Sequence, residues 1–502
     1  MTIIRIANQS LQRSTSKHVI VFLVLGLFVV STLALIIQGW ESTFFFFAIG
    51  TVCLLLTLLF VLTEPIFDPY SLWSLGIVFN VIMGITLRSI YIVFGIPNQQ
   101  TIEHLFLLGQ PIDVFIQPSL IILLSLALLG LGYTLGRNRY SKPIVHRKIK
   151  VTWQPSRLYW AVIICSVLSI GVLIIFIEQT GGLNLQQLSS KRSAISYTYE
   201  LDLSEYHGYG YLRALNNLST IAYLLMLTHC AITSPILTKR QILILGALFI
   251  NAVLLPIYSS QRAPIMWLII SSFAIWYYVG RGIHIRTLLI VGFGSSLLFQ
   301  ILSEIRHVRV QTFDFVLSVV RFSEILDPLI LNRSFLDLTK TSHIITNIPA
   351  LFELEYGKTL ITWLYAPIPR ELWPEKPLIQ YGPIIGKYIY GLDGSGVPPG
   401  IIAELYWNFA IVGLIIGSFV IGWFLRRIYE WFSPVTTENG NHILIYVAVA
   451  IPFSFVLISN GLSYAITNSL PDMVIISIIL YSIRAETKRV TISNFTALSN
   501  AR

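Results

Sequence analysis

Three kinds of side chain in this sequence could act together on a charged, hydrogen-bonding substrate. They are arginines with a forked set of donors, a carboxylate and an amide one helical turn apart, and a group of aromatic rings. The stretch Gly357 to Gly413, GKTLITWLYAPIPRELWPEKPLIQYGPIIGKYIYGLDGSGVPPGIIAELYWNFAIVG, holds most of them. Arg370 and Lys376 sit in PIPRELWPEKP, with Lys358 just before, while Arg192 lies in SSKR, Arg262 in SSQR, and Arg306 and Arg309 in SEIRHVRV. The planar fork of an arginine donates two parallel charge-assisted hydrogen bonds, which suits a phosphate group, and several arginines from separate loops would make a pyrophosphate clamp. Glu404 and Asn408 are spaced to share one face of a helix, directed away from lipid. Trp363, Trp373, Tyr381, Tyr388 and Tyr390 could stack on the C–H faces of pyranose rings or form an aromatic belt at a membrane interface.

The elements that must position these groups are membrane helices. The 502 residues are 55% hydrophobic and only 12% charged, with mean hydropathy +0.73, so there are too few charges to cover a water-soluble globule of this size. Runs of about 18 or more apolar residues, each long enough to cross the bilayer as a helix, recur along the chain. We read about twelve: 19–37, 43–62, 71–94, 117–136, 158–177, 211–232, 241–258, 263–279, 287–302, 403–425, 442–459 and 465–483. Pro471 and Asp472 make the last the least regular. The first has no cleavage site after it and reads as an ordinary span rather than a signal peptide. The fold class is therefore an all-α polytopic integral membrane protein. It divides into 1–302 (spans 1–9, with an outer loop at 178–210), a large outer segment 303–402, and 403–502 (spans 10–12 and a tail).

Charge sets the orientation. With both termini in the cytoplasm, most Lys and Arg fall on that side, including Arg137, Arg139, Lys142, Arg147, Lys148, Lys150 and Arg157, joined by only Glu64, Asp68, Glu430, Glu438 and Glu486 among the acids. The pI of 9.4 then reports topology by the positive-inside rule and not nucleic-acid binding. The loop Thr63–Tyr70 is an exception, placed on the cytoplasmic side with no cation of its own. Arginines on the outer face need a reason. Arg88, Arg306 and Arg309 have a simple one, since they could reach to lipid headgroups; Arg262, in a turn of a few residues between two spans, does not. Prolines 367, 369, 374, 377 and 383 forbid a long helix over 366–384. Gly413 and Gly417 form a small-xxx-small pair that reads as close packing. Cys53, Cys165 and Cys230 fall within spans and read as core.

GKT, PIPRELWPEKP and GIIAELYWNFAIVG together resemble the signature of the Wzy-type oligosaccharide repeat unit polymerases, which make bacterial O-antigen and exopolysaccharide. SSKR and SSQR resemble that family's arginine-bearing outer positions. The resemblance covers roughly 180–413 and the span pattern. It implies a GT-C-like fold with its long loop on the periplasmic side of the inner membrane, no metal and no cofactor. The implied reaction is an inverting transfer of a growing glycan from one undecaprenyl diphosphate carrier to a repeat unit on another, with a polysaccharide co-polymerase as chain-length regulator. Where the family pattern continues NFG, this chain has Ala410 after Phe409.

That chemistry assigns roles. Negative charge develops on the leaving diphosphate, and fixed cations stabilise it by about 3 kcal/mol per well-placed donor. Arg192, Arg262, Arg306 and Arg370 are expected on the diphosphates, with Lys376 in support; Trp373, Tyr381 and Asn408 are expected on the glycan. Glu404 is the first choice of base, with His307 and His207 as alternatives, or the proton leaves late to water. A metal-dependent oligosaccharyltransferase-like enzyme would carry paired acids in its first outer loop, where Gln38–Ser42 offers only Glu41. A glycan ligase would share the arginine clamp. A flippase predicts charged residues at mid-membrane and repeat symmetry.

Overall fold

The computed structural model describes residues 42–64, 67–93, 113–138, 153–179, 210–234, 236–259, 261–280, 285–307, 330, 334–368, 372–373, 375–379, 381–390, 396–435 and 439–485. The regular elements among the described residues are helices, joined by turns and irregular stretches, with one isolated antiparallel bridge between Trp153 and Arg484. Among the described residues, nine helices are long and apolar enough to cross a membrane. They are α1 (Phe45–Thr63 of the helix Ser42–Thr63), α2 (Ser74–Tyr91), α3 (Asp113–Leu135), α4 (Pro155–Gln179), α5 (Ala214–Thr233 of Gly210–Thr233), α6 (Lys239–Tyr258), and three at the C-terminal end. Between these groups come α7 (Arg262–Tyr278), 17 residues long, α8 (Ile285–His307), α9 (Leu338–Thr346) and α10 (Gly382–Tyr390). The last three spanning helices are α11 (Gly400–Phe432), α12 (Gly440–Asn460) and α13 (Leu462–Ser482). The expected span 19–37 lies outside the described residues; the spans expected at 263–279 and 287–302 correspond to α7 and α8.

Burial separates centre from perimeter. In α5 and α12, 72% of the apolar window is buried, against 28% in α4 and α13. The outward face of α4 carries Trp160, Ile163, Ile164, Val167 and Leu168, an apolar surface that lipid covers without cost. Helices α3 and α11 cross most closely, because a Cβ at Gly132 would run into the Phe419 carbonyl and one at Gly422 into that of Leu129. Between them the Ser125 and Ser418 hydroxyls bond at 2.6 Å. Small residues bring backbones together where hydrophobic pressure between helices is absent.

Gly413 and Gly417 have another use. Helix α11 is broken at Phe409 (φ −140°, ψ 24°) and Ala410 (φ 50°, ψ −140°), and the half before the break folds back on the half after it. A Cβ at Gly417 would run into the Leu405 side chain, and one at Gly413 would lie 2.6 Å from the Phe409 Cβ. The pair packs closely, as its spacing suggested, but against its own chain.

Parts of the 303–402 segment enter the bundle. Leu336, Leu338 and Ile345 belong to the main apolar core, and Phe335 packs its ring on Phe79 and Phe455. A Cβ at Gly84 would run into the Leu336 carbonyl, and the Leu336 N–H donates to Asn80 Oδ1 at 3.0 Å. Asn80 and Gly84 lie well inside α2, so residues 335–346 form a re-entrant element at membrane depth. Non-helical backbone is tolerated there only when protein groups satisfy it, and the Asn80 amide does so. Helix α2 is itself wound as π turns at Ser74–Val78 and Ile82–Leu87, flanking this contact. A second, smaller core of Ile344, Ile348, Phe352, Ile385, Tyr390, Val397, Ala403 and Trp407 holds the rest of the segment against the first half of α11.

Candidate functional site

The break in α11 is the origin of the site. A helix that stops at Asn408 leaves carbonyls without intrahelical donors. The Trp407 carbonyl accepts from Glu355 N and the Asn408 carbonyl from Tyr356 N, both at 3.1 Å. The incoming strand of chain is thereby fixed just before the GKT turn, where Gly357 takes φ +91°.

Asn408 and Glu404 then tie three segments together. Asn408 is fully buried; its Oδ1 accepts from Gly357 N at 2.8 Å, and its Nδ2 donates to Thr359 Oγ1 at 2.6 Å and to the Glu404 carbonyl at 2.7 Å. The Thr359 hydroxyl in turn bonds the Glu404 carboxylate, and Glu404 Oε2 accepts from Leu462 N at 2.7 Å, at the start of α13. Ser463 Oγ donates back to the Thr359 carbonyl at 2.5 Å. Gly461 (φ +116°) makes the turn between α12 and α13 directly over the carboxylate, where a Cβ would lie 2.5 Å from Glu404 Oε2. The shared face expected of Glu404 and Asn408 is present, and Gly357 and Thr359 of GKT are their partners.

The other expected site residues are placed as follows. Lys376 is buried, and its ammonium donates to the carbonyls of Ala366 at 2.9 Å and Ile368 at 2.8 Å, tying residue 376 to 366–368. Trp373 packs edge-on against Tyr365, and Tyr381 edge-on against Trp407. Burial, aided by the nearby Glu355 and Glu404 charges, pushes the Tyr381 phenol up to about 12, which keeps it a hydrogen-bond donor at neutral pH. Tyr390 is buried and its hydroxyl lies 3.1 Å from His343 Nδ1, while Tyr388 is exposed. Arg262 is the first residue of α7 and is half-buried. Lys358 is largely exposed, 4.0 Å from Glu355. Lys191, Arg192, His207, Arg309 and Arg370, together with the side chains of Arg306 and His307, lie outside the described residues.

The re-entrant element holds residues the sequence reading passed over. Arg88 does not reach toward headgroups: it is 4% exposed and its Nη1 is bonded to Asp337 Oδ2. Asp337 also caps α9, accepting from Thr339 N and Thr339 Oγ1 at 3.0 Å each. Lys340, fully buried, donates to the Phe335 carbonyl at 2.9 Å. Asp337, Lys340 and His343 sit in DLTKTSHIIT, too polar to read as membrane-embedded and too short to read as a domain. Only the anomaly of an arginine inside span three pointed here.

A second polar cluster closes the opposite end of the bundle. Asp68 accepts from the hydroxyls of Tyr278 and Tyr429, each at 2.9 Å, and from Tyr70 N at 3.0 Å. Arg426 binds Glu64 at 2.7 Å and Glu430 at 3.2 Å. The cation absent from the Thr63–Tyr70 loop is therefore supplied by α11. No protein-family model, curated protein or solved structure matches this chain.

Proposed function

We propose that the protein is a membrane glycosyltransferase that polymerises oligosaccharide repeat units carried on undecaprenyl diphosphate, at the outer face of a bacterial inner membrane, by inverting transfer without a metal. The observation that supports this reading best is the junction itself. GKT, the Glu404–Asn408 face and the start of α13 are joined by side-chain hydrogen bonds into one buried unit. Two of the motifs that carry the family resemblance, GKT and GIIAELYWNFAIVG, meet there.

In this reading the Glu404 carboxylate draws the proton from the acceptor hydroxyl. Its two oxygens sit beside Thr359 and Leu462 N, donors that hold its orientation. Arg262 and Arg370 stabilise the departing diphosphate, Trp373 and Tyr381 present ring faces and edges to the glycan, and Asn408 fixes the floor beneath them. Lys376 serves by shaping the loop that carries Arg370.

The test is reconstitution of purified protein with a synthetic undecaprenyl-diphosphate repeat unit in EDTA and no ATP, with products resolved by size. The expected result is a ladder, reduced about a hundredfold by Arg262→Ala and by Arg370→Ala. Transfer of a single unit to a lipid A core acceptor, or movement of the intact lipid across liposomes with no new bond, would replace this reading with a ligase or a flippase.

A further inference from the structure

The re-entrant element carries more hydrogen-bonding capacity than the described residues use. Arg88 bonds Asp337 through one terminal nitrogen, leaving Nε and Nη2 with no partner among the described residues. Those two atoms form one edge of the guanidinium, the edge that makes two parallel bonds to an oxyanion. Three buried hydroxyls are in the same condition: Thr341 and Ser342, both fully buried on α9, and Ser119, 1% exposed on α3. The two helices meet here, with the Phe115 ring on His343 and Ser119 one turn beyond Phe115 on the same face of α3.

An unpartnered buried donor is costly, and one edge of an arginine with three hydroxyls is far more than a membrane core normally leaves unmatched. The charges add to the case. Arg88, Asp337 and Lys340 together carry one net positive charge at membrane depth, which a singly charged oxyanion would balance.

From this geometry we infer that Arg88, Ser119, Thr341 and Ser342 form a binding site for a phosphate-type oxyanion. The group has hydroxyls to donate and accept, an arginine edge to clamp, and the Asp337 carboxylate to hold that arginine in place. Resting on the function proposed above, the oxyanion is a phosphoryl group of the lipid-linked diphosphate. It is a second site beside Arg262 and Arg370, in keeping with a reaction that handles two such carriers.

The test uses the full-length protein carrying Arg262→Ala and Arg370→Ala, so that the first diphosphate site does not contribute, in nanodiscs of a neutral phosphatidylcholine, titrated with undecaprenyl diphosphate and separately with undecaprenol. Binding of the diphosphate but not the alcohol is expected. Ser342→Ala and Thr341→Val should each weaken it about tenfold, since each removes one bond to a charged group, while leaving the unfolding temperature unchanged or higher. Arg88→Ala should abolish it; where that variant does not fold, the hydroxyl variants decide. Ser125→Ala, which removes a hydroxyl already paired between α3 and α11, should leave binding as it is.

Competition by inorganic pyrophosphate would assign recognition to the diphosphate, and competition by phosphatidylglycerol to any lipid phosphate; both keep the site. Unchanged affinity in both hydroxyl variants would overturn it and return these groups to bridging by buried water. The ladder assay separates this from the function. A ladder with unchanged affinity in the hydroxyl variants removes the site alone, whereas variant-sensitive binding with no ladder removes the polymerase reading alone.

Discussion

Ala410 and Gly461 show how much rests on single backbone positions. Ala410 takes φ 50° with ψ −140°, a region that glycine enters freely and a residue with a Cβ enters under strain of about 1–3 kcal/mol. Ala410→Gly should therefore raise stability by about 1 kcal/mol, less than the strain relieved because glycine also loosens the unfolded chain. Thermal unfolding in detergent measures this, and a loss of stability would show that the break does not need a glycine-like conformation. At Gly461 the situation is reversed. A methyl there meets both the positive φ and the Glu404 carboxylate, so Gly461→Ala should cost about 2 kcal/mol or more in the same measurement, and a neutral result would mean that the α12–α13 turn is free to move. The departure from NFG at Ala410 was visible in the sequence. The helix break was not, because Trp, Asn, Phe, Ala and Ile in succession carry no stop signal and the break is held by loop N–H groups from fifty residues away.

Among the elements, α2 decides whether the outer segment can enter the bundle. Gly84 leaves room for the Leu336 carbonyl, and Asn80 takes its N–H. Gly84→Val should force residues 335–346 outward, costing about 1–3 kcal/mol as an overpacked contact. The direct readout is a cysteine placed at 336, shielded from a membrane-impermeant maleimide in the parent and labelled in the Gly84→Val background. Equal shielding in both would show that the segment docks without this contact. The spans were legible because eighteen apolar residues in a row have few other uses, and the shared face of Glu404 and Asn408 followed from helical spacing alone. The re-entrant element was hidden for a physical reason. Its Leu336 N–H and Asp337 are matched by α2 and Lys340 by the element's own backbone, so its burial depends on partners some 250 positions distant, such as Asn80 and Arg88, and not on its own hydropathy. For the same reason Lys376 gives no sequence sign of its bonds to the Ala366 and Ile368 carbonyls.

Across the whole molecule, two polar clusters hold opposite ends of the bundle, and the one around Asp68 ties stability to pH. Burial lifts the Asp68 carboxyl from its ordinary range to about 6, against the opposing bonds from Tyr278, Tyr429 and Tyr70 N. The unfolded carboxyl titrates near 4. Between about 4 and 6 the folded state thus holds a proton at Asp68 that the unfolded state has released, so the Asp68 contribution to stability rises as pH falls through that window and is flat above it. Asp68→Asn should remove this slope, and an unfolding temperature that declines from pH 7 to pH 5 in the parent would contradict the assignment. At the other end, the junction carries the claim of function, and Glu404 is the residue on which cap and chemistry coincide. The decisive measurement is Glu404→Gln, assayed for ladder formation and for thermal stability in the same preparation. Glutamine keeps an oxygen to accept from Leu462 N but cannot take a proton, so the account predicts stability within about 1 kcal/mol of the parent and chain growth reduced at least a hundredfold. Full polymerisation by a stable Glu404→Gln protein would contradict it, leaving Glu404 as the cap of α13 and nothing more.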